Sequence, residues 1–190
     1  MISRDVAWSI LTEFTAGDGL RKHARAVEAV MRAYADRYGE DPETWGVAGM
    51  LHDFDYEMHP RGPAHPLKGA EILLTRGVPE AIVYAIVAHA DYAGMPRISR
   101  LDRALYACDE LSGFVHACAL VRPGRVIAGL EPASVRKKLR DKAFARTVNR
   151  DDVHRGAVEL GVDLDQHIAF IVAALTSVAS DIGLADRSPS

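Results

Sequence analysis

From Ser3 to Ile182 the apolar residues recur every three or four positions in segment after segment, while the period-two alternation of half-buried strands is scarcely seen. That regularity restricts the chain to an all-α fold, because each amphipathic helix must cover its apolar stripe with neighbours of the same kind. The pattern predicts helices near 3–15, 19–38, 42–54, 66–76, 79–90, 99–119, 132–145, 150–160 and 164–182. Pro42 and Pro79 stand where a first helical turn can lose a donor without cost. Ser99 with Asp102, and Asp163 with Gln166, read as capping pairs. Gly39, Gly77 and Gly161 each follow a periodic run, as left-handed terminators do. The pattern breaks twice, over Asp55 to Ala64 with Pro60, Gly62 and Pro63, and over 121–134 with Pro123, Gly124, Gly129 and Pro132.

A chain of 190 residues fits one domain on size. The expected division is a helical domain over 1–184, with its chemistry-bearing core at about 20–120, a C-terminal helical extension at about 131–182, and a frayed tail at 185–190. With 48% hydrophobic and 26% charged residues and a net charge of −3, the composition is that of a soluble globular protein and excludes a generally basic coat for nucleic acid. Cys108 and Cys118 fall ten positions apart on one expected helix, so they face different ways and imply no disulfide. The N-terminus lacks the apolar core of a signal peptide, and nowhere do eighteen uncharged apolar residues run together. A cytoplasmic protein with no membrane association is the expectation.

Against this apolar pattern certain polar residues stand out. His52 and Asp53 sit together in Gly49-Met50-Leu51-His52-Asp53-Phe54. His23 begins the stripe Val27, Val30, Met31, Tyr34; His89 continues Ile82, Ala85, Ile86; and Asp109 lies on the stripe of Leu101, Leu105, Ser112 and Val115. A buried carboxylate without a partner costs several kcal/mol or becomes protonated, so Asp109 asks for a cation or a hydrogen-bond network. A single histidine on an apolar face is more often a hydrogen-bonded core residue than a ligand. With His65 the set comprises four imidazoles and two carboxylates, which suits one or two divalent transition-metal ions: manganese, iron, zinc, nickel or cobalt.

In order, His23, His52-Asp53 and Asp109 resemble the signature of the HD-domain superfamily of metal-dependent phosphohydrolases, an early His, a His-Asp doublet and a distant Asp on a helical scaffold. His65-Pro66-Leu67-Lys68-Gly69-Ala70-Glu71-Ile72-Leu73 is similar to the His-Pro-x-x-Gly-x-x-x-Leu segment of two-metal members, and Ile86-Val87-Ala88-His89 to their next ligand helix. The resemblance covers about 20–120 and implies a single-domain helical bundle of small HD type. Ala90 stands where the cyclic-dinucleotide-cleaving branch has a second histidine, Gly94-Met95-Pro96 replaces Gly-Tyr-Pro, and Asp55-Tyr56 replaces Gly-Lys, which argues against that activity.

The resemblance implies one metal held by His23, His52, Asp53 and Asp109, and a second by His65 and His89 with Asp53 bridging. The leading expectation is hydrolysis of a phosphate ester, of a nucleotide or another small phosphorylated metabolite, by a metal-activated water that Asp53 orients. Lys68, a turn beyond His65, is the expected catalytic and substrate-binding cation, though a solvated lysine fits equally; Arg97, and Arg100 after it, are weaker candidates of the same type. Asp55, Glu57 and Asp91 could shuttle protons or fix imidazole tautomers, although loop carboxylates are usually only solvated. A different reaction class, the di-iron HD-fold oxygenases, uses the same ligand order. A third reading, a nucleotide- or nucleic-acid-binding module, rests on the cationic run Arg136 to Arg146, which lacks aromatics to stack bases; nucleic acid is therefore not expected as a partner. Trp8, Phe14, Ile168, Phe170, Ile171, Leu175 and Val178 offer apolar surface for the core, the safer reading, or for a homodimer face.

Overall fold

A computed structural model describes residues 2–186. Among them lie nine α-helices and no strand: α1 Arg4–Phe14, α2 Asp18–Tyr38, α3 Pro42–Leu51, α4 Ala64–Thr75, α5 Glu80–Ala88, α6 Arg100–Leu120, α7 Pro132–Leu139, α8 Arg150–Leu160 and α9 Leu164–Ser177. The starts follow local chemistry. Ser99 accepts from the Asp102 amide while Asp102 accepts from the Ser99 amide, closing the expected box at α6. Asp41, Asn149 and Asp163 accept from first-turn amides of α3, α8 and α9. Gly39, Gly77 and Gly161 are left-handed, with φ of 69°, 74° and 74°. Pro79 stands just outside α5 at its N-cap, not within the first turn.

Three helices end earlier than their patterns suggest. The expected 42–54 segment stops at Leu51, so His52 caps α3 and Asp53 lies beyond it. The 132–145 segment stops at Leu139. Arg150 then donates to the carbonyls of Asp141, Phe144, Ala145 and Val148, holding residues after α7 in turns that a charge-rich sequence does not reveal. The last helix ends at Ser177, and the chain folds back until Leu184 accepts from the Ile127 amide at 3.2 Å. Of the expected tail 185–190, residues 187–190 lie outside the described residues.

The core is one continuous cluster running from Ala7 of α1 to Leu184 after α9. Its centre is α2, packed on α3, α6 and α9, with Tyr34, Met31, Met50, Leu105 and Leu111 fully buried. Each such side chain contributes about 1.5–3 kcal/mol on leaving water, which allows a few polar groups to be buried with partners. Glu28 takes both Arg4 and Arg32, and His167 donates from Nε2 to the Ala107 carbonyl (3.0 Å) while its Nδ1 meets the Tyr34 hydroxyl (2.6 Å). Ile168, Ile171 and Leu175 are core residues, and Trp8, Phe14, Phe170 and Val178 pack partly buried against it. The cysteines are free and buried. On α8, Gly156 meets α6 so closely that a Cβ there would lie 2.7 Å from Ala107 Cα. That contact lays α8 along the part of α6 that carries Asp109.

Candidate metal centre and its cleft

Five chain segments deliver six polar side chains to one place. His23 comes from the second turn of α2, His52 from the C-cap of α3 with Asp53 after it, His65 from a kink in α4, His89 from the C-cap of α5 and Asp109 from the middle of α6. At helix ends the last carbonyls have no amide partner within the helix, so an imidazole can turn back and donate to one. His52 Nδ1 donates to the Gly49 carbonyl at 2.8 Å, and His89 Nδ1 donates to the Ile86 carbonyl. A carbonyl can only accept, which places the proton on Nδ1 and leaves Nε2 of the neutral ring as a lone pair. His65 is set in the same way, Nδ1 donating to Asp55 Oδ1 at 2.7 Å. Asp55 is fully buried and is itself fixed by the Gly69 amide, 3.1 Å from Oδ2.

The Nε2 atoms converge. His23 Nε2 is 2.9 Å from Asp109 Oδ1 and 3.2 Å from His52 Nε2. His52 Nε2 is 3.3 Å from Asp109 Oδ1 and 3.4 Å from Asp53 Oδ2. The other oxygen of Asp53 faces away from this group, 3.1 Å from His65 Nε2 and 3.6 Å from His89 Nε2. Two donor groups result, His23-His52-Asp53-Asp109 and Asp53-His65-His89, each with its ligand atoms within 4.8 Å of one another and with Asp53 common to both. The chemistry of the set suits a cation. The His52 Nε2 lone pair faces Asp109 Oδ1 at 3.3 Å and Asp53 Oδ2 at 3.4 Å, acceptors that repel unless a proton or a metal lies among them.

Electrostatics point the same way. Burial opposes a charge on His52, yet the adjacent Asp53 and Asp109 carboxylates outweigh it and hold the imidazole well above its ordinary value. For His65 burial is again overcome, here by Asp53 and Asp55, and its value rises to about 9. Asp53 and Asp109, despite burial, are held well below the carboxylate range by the imidazoles. Beside them Glu110 is pushed up to about 8 by burial first and by Asp109 second.

The two groups form the floor of a cleft of about 580 Å³. Its walls include Tyr56, Tyr92, Tyr106, Asn149, Asp152 and Arg155. The segment after Asp53 borders the centre: Tyr56 stands edge-on to His65, and Gly62 lies so close to Tyr92 that a Cβ would come within 2.6 Å of the ring. Arg155 reaches in from α8, its Nε 2.7 Å from the Tyr106 hydroxyl and its Nη2 shared between Asp91 and Asp152.

The expected substrate cations lie elsewhere. Lys68 is exposed, pairs with Glu71 (2.9 Å) and does not line the cleft, because the backbone kinks at His65 (ψ 136°) and the two residues do not share one helix face. Arg97 is bound to Glu159 (2.6 Å) and Asp91 (2.8 Å) and lies over the Tyr106 ring, so its charge is already engaged in holding α8. Arg100 pairs with Glu40. Among the loop carboxylates, Glu57 accepts from the Ala16 and Gly17 amides ahead of α2, and Asp91 ties Arg97 to Arg155. Sequence reasoning named Asp55 only as one of three loop carboxylates and missed Arg155, Tyr106 and Asp152. For Asp55 the signal was its full burial, which a loop position conceals; for Arg155 the only trace was a small residue, Gly156, beside it.

With this geometry in view the family is plain. Residues 20–113 match the HD domain, and the chain belongs to the HD superfamily of metal-dependent phosphohydrolases, whose domains bind divalent metals. A ribonuclease Y of Desulfotalea psychrophila is 34% identical over 98 residues, which are 51% of this chain and 18% of that protein. The chain thus matches less than a fifth of that relative's length. No solved structure matches. The matched HD segment ends in α6, so Asp152 and Arg155, on α8, lie outside it. Among the described residues no helix is long and apolar enough to cross a membrane.

Proposed function

We propose that the protein hydrolyses the phosphate ester of a small phosphorylated metabolite, nucleotides included, with one or two divalent transition-metal ions as cofactor. The observation that carries this reading is Asp53, which turns its two oxygens to two separate donor groups. A bound divalent ion lowers the pKa of its water toward neutrality and offsets charge on phosphoryl oxygens. Asp53, whose carboxylate would hold the ion, would also be placed to accept a hydrogen bond from such a water. Arg155, aligned by Tyr106, Asp91 and Asp152, supplies the planar cation for the phosphoryl oxygens, the role expected of Lys68 or Arg97. Tyr56 and Tyr92 narrow the mouth and limit water around the reacting group.

Several features favour a small substrate over nucleic acid, even though one relative is named a ribonuclease. Among the described residues the cleft lining carries a single Arg or Lys, Arg155, which is little positive charge for tracking a polyanion's backbone. Part of the cationic run is engaged within the molecule, Arg136 with Asp165 at 3.2 Å and Lys138 over the Phe144 ring.

The test is a panel of phosphate esters assayed with manganese, cobalt, nickel, zinc or iron, alongside elemental analysis. Phosphate release that a chelator abolishes, and that His52→Ala or Asp53→Ala removes with folding intact, is the expected result. Two irons per chain with O2 consumption and no phosphate release would place the protein among the oxygenases instead.

A further inference from the structure

Adjoining the cleft is a second trough, of about 530 Å³, and the two hollows share His23 and Gly113 in their walls. A Cβ on Gly113 would stand 3.7 Å from His23 Cε1, so the bare glycine leaves space beside the imidazole where the hollows meet. Their chemistry differs. Beyond its metal-binding floor the cleft presents Glu110 and the paired Asp91, Asp152 and Arg155, whereas the trough presents Lys22, Arg125 and His116, with Asp18, over Ala117, Leu120 and Ile182.

The cations of the trough are placed by the fold. Arg122 donates to the carbonyls of Val126, Ile127, Ala128 and Gly129, at 2.6, 3.3, 2.9 and 3.1 Å, and so locks the loop that carries Arg125. Within that loop Arg125 has φ of 56°, a left-handed backbone that a residue with a Cβ adopts only where its surroundings hold it. The first turn of α2 opens on the trough at Asp18 and Gly19, and its free amides add positive potential. Against this stands Asp18, which pairs with Lys22 at 2.6 Å. An entering anion would compete with an exposed carboxylate for the same ammonium.

We propose that the trough binds a phosphate group through Lys22 and Arg125. If the hydrolase reading above holds, on which this second part rests, the substrate carries two phosphates, one cleaved over Asp53 and the other seated beyond His23. Among the described residues Arg155 is the one Arg or Lys lining the cleft, and the reading above assigns it to the phosphate being cleaved, so the next cations along these walls are Lys22 and Arg125 of the trough.

The experiment uses the full chain, as purified and after chelation, titrated with inorganic phosphate while the imidazole C–H resonances are followed by NMR. In the chelated protein the His116 resonance should shift saturably. The Lys22→Gln/Arg125→Gln double variant should weaken that binding about tenfold or more, and Asp18→Asn, which frees Lys22, should tighten it. A His116 resonance that does not move, or equal affinity in the double variant, overturns the proposal even if the metal-loaded enzyme releases phosphate from esters. Saturable binding in the trough supports it even if no ester is cleaved. For the substrate, the purified enzyme should show a lower KM for a bisphosphate than for the matching monophosphate, with the advantage lost in the double variant; equal KM values overturn that part.

Discussion

Adding one methyl group at Gly69 should disable half of the metal centre. An ideal Cβ there lies 2.6 Å from Asp55 Cγ, 2.7 Å from Asp55 Oδ2 and 2.9 Å from Phe54 Cε1. None of these atoms can yield into solvent, because Asp55 and Phe54 are fully buried. In Gly69→Ala the carboxylate must therefore move, losing the 3.1 Å bond from the Gly69 amide and its 2.7 Å hold on His65 Nδ1. Overpacking costs about 1–3 kcal/mol and a charged hydrogen bond about 1.5–3 kcal/mol, while alanine's better helix propensity returns about 1 kcal/mol. A net loss of about 1.5–5 kcal/mol in stability follows. Losing the partner that orients a ligand histidine lowers metal affinity about 10–100-fold, here at the Asp53-His65-His89 group. The His23-His52-Asp109 side is not touched. Urea unfolding and metal titration against a competing chelator read the two effects, with Asp55→Asn, which keeps the size and one acceptor oxygen, as a milder comparison. Unchanged affinity for both ions in a stably folded Gly69→Ala protein would refute the reasoning that Asp55 sets His65.

Other consequences can be checked alongside. Arg155→Ala should raise KM for a phosphate ester about 10–100-fold with little change in melting temperature, from the loss of a charged contact. Arg97→Ala should instead lower the melting temperature, since the Arg97 side chain is only 10% exposed and joins Glu159 of α8 to Asp91 ahead of α6, whereas that of Arg155 is 47% exposed and its ion pairs are screened by solvent; the opposite pattern in the two variants would reverse the assignment. Because His65 must shed a proton held up to about 9, metal binding should release protons and tighten as pH rises toward that value; calorimetry in buffers of different ionisation heat would show no proton release if the imidazole were not a ligand. Burial depresses His167 from 6.5 to about 4, so the unfolded chain takes up its proton first, and the stability present above pH 6.5 is lost as pH falls toward 4. That loss amounts to about 3 kcal/mol and should appear in urea unfolding of the wild type across this range but be missing from His167→Gln.

The helical class, most helix starts and the ordered set of metal-competent residues were legible along the chain, because each depends on short-range patterns: apolar period, capping residues, and polar groups set on apolar stripes. His23, His52, Asp53, His65, His89 and Asp109 could be named for that reason, and the structure gathers them. Helix ends were less legible where a distant side chain intervenes, as Arg150 does after α7. What surrounds the centre was legible only in part: Asp55 was among the carboxylates able to fix an imidazole, but Tyr106, Asp152 and Arg155 carried no such signal. Lys68 and Arg97 were near ligands in sequence, yet the kink at His65 leaves one outside the cleft and an ion pair to α8 holds the other.

The sequence alone thus determined a helical chain with a set of polar residues that needed cations or one another, since period and polarity are properties of neighbouring residues. Only the tertiary structure decided that Asp53 serves two donor groups, that Asp55 backs His65, and that Arg155 faces the cleft. Those depend on the close approach of α8 to α6 at Gly156 and on the buried seat of Asp55 against Gly69, contacts between segments whose separation along the chain carries no trace of their meeting.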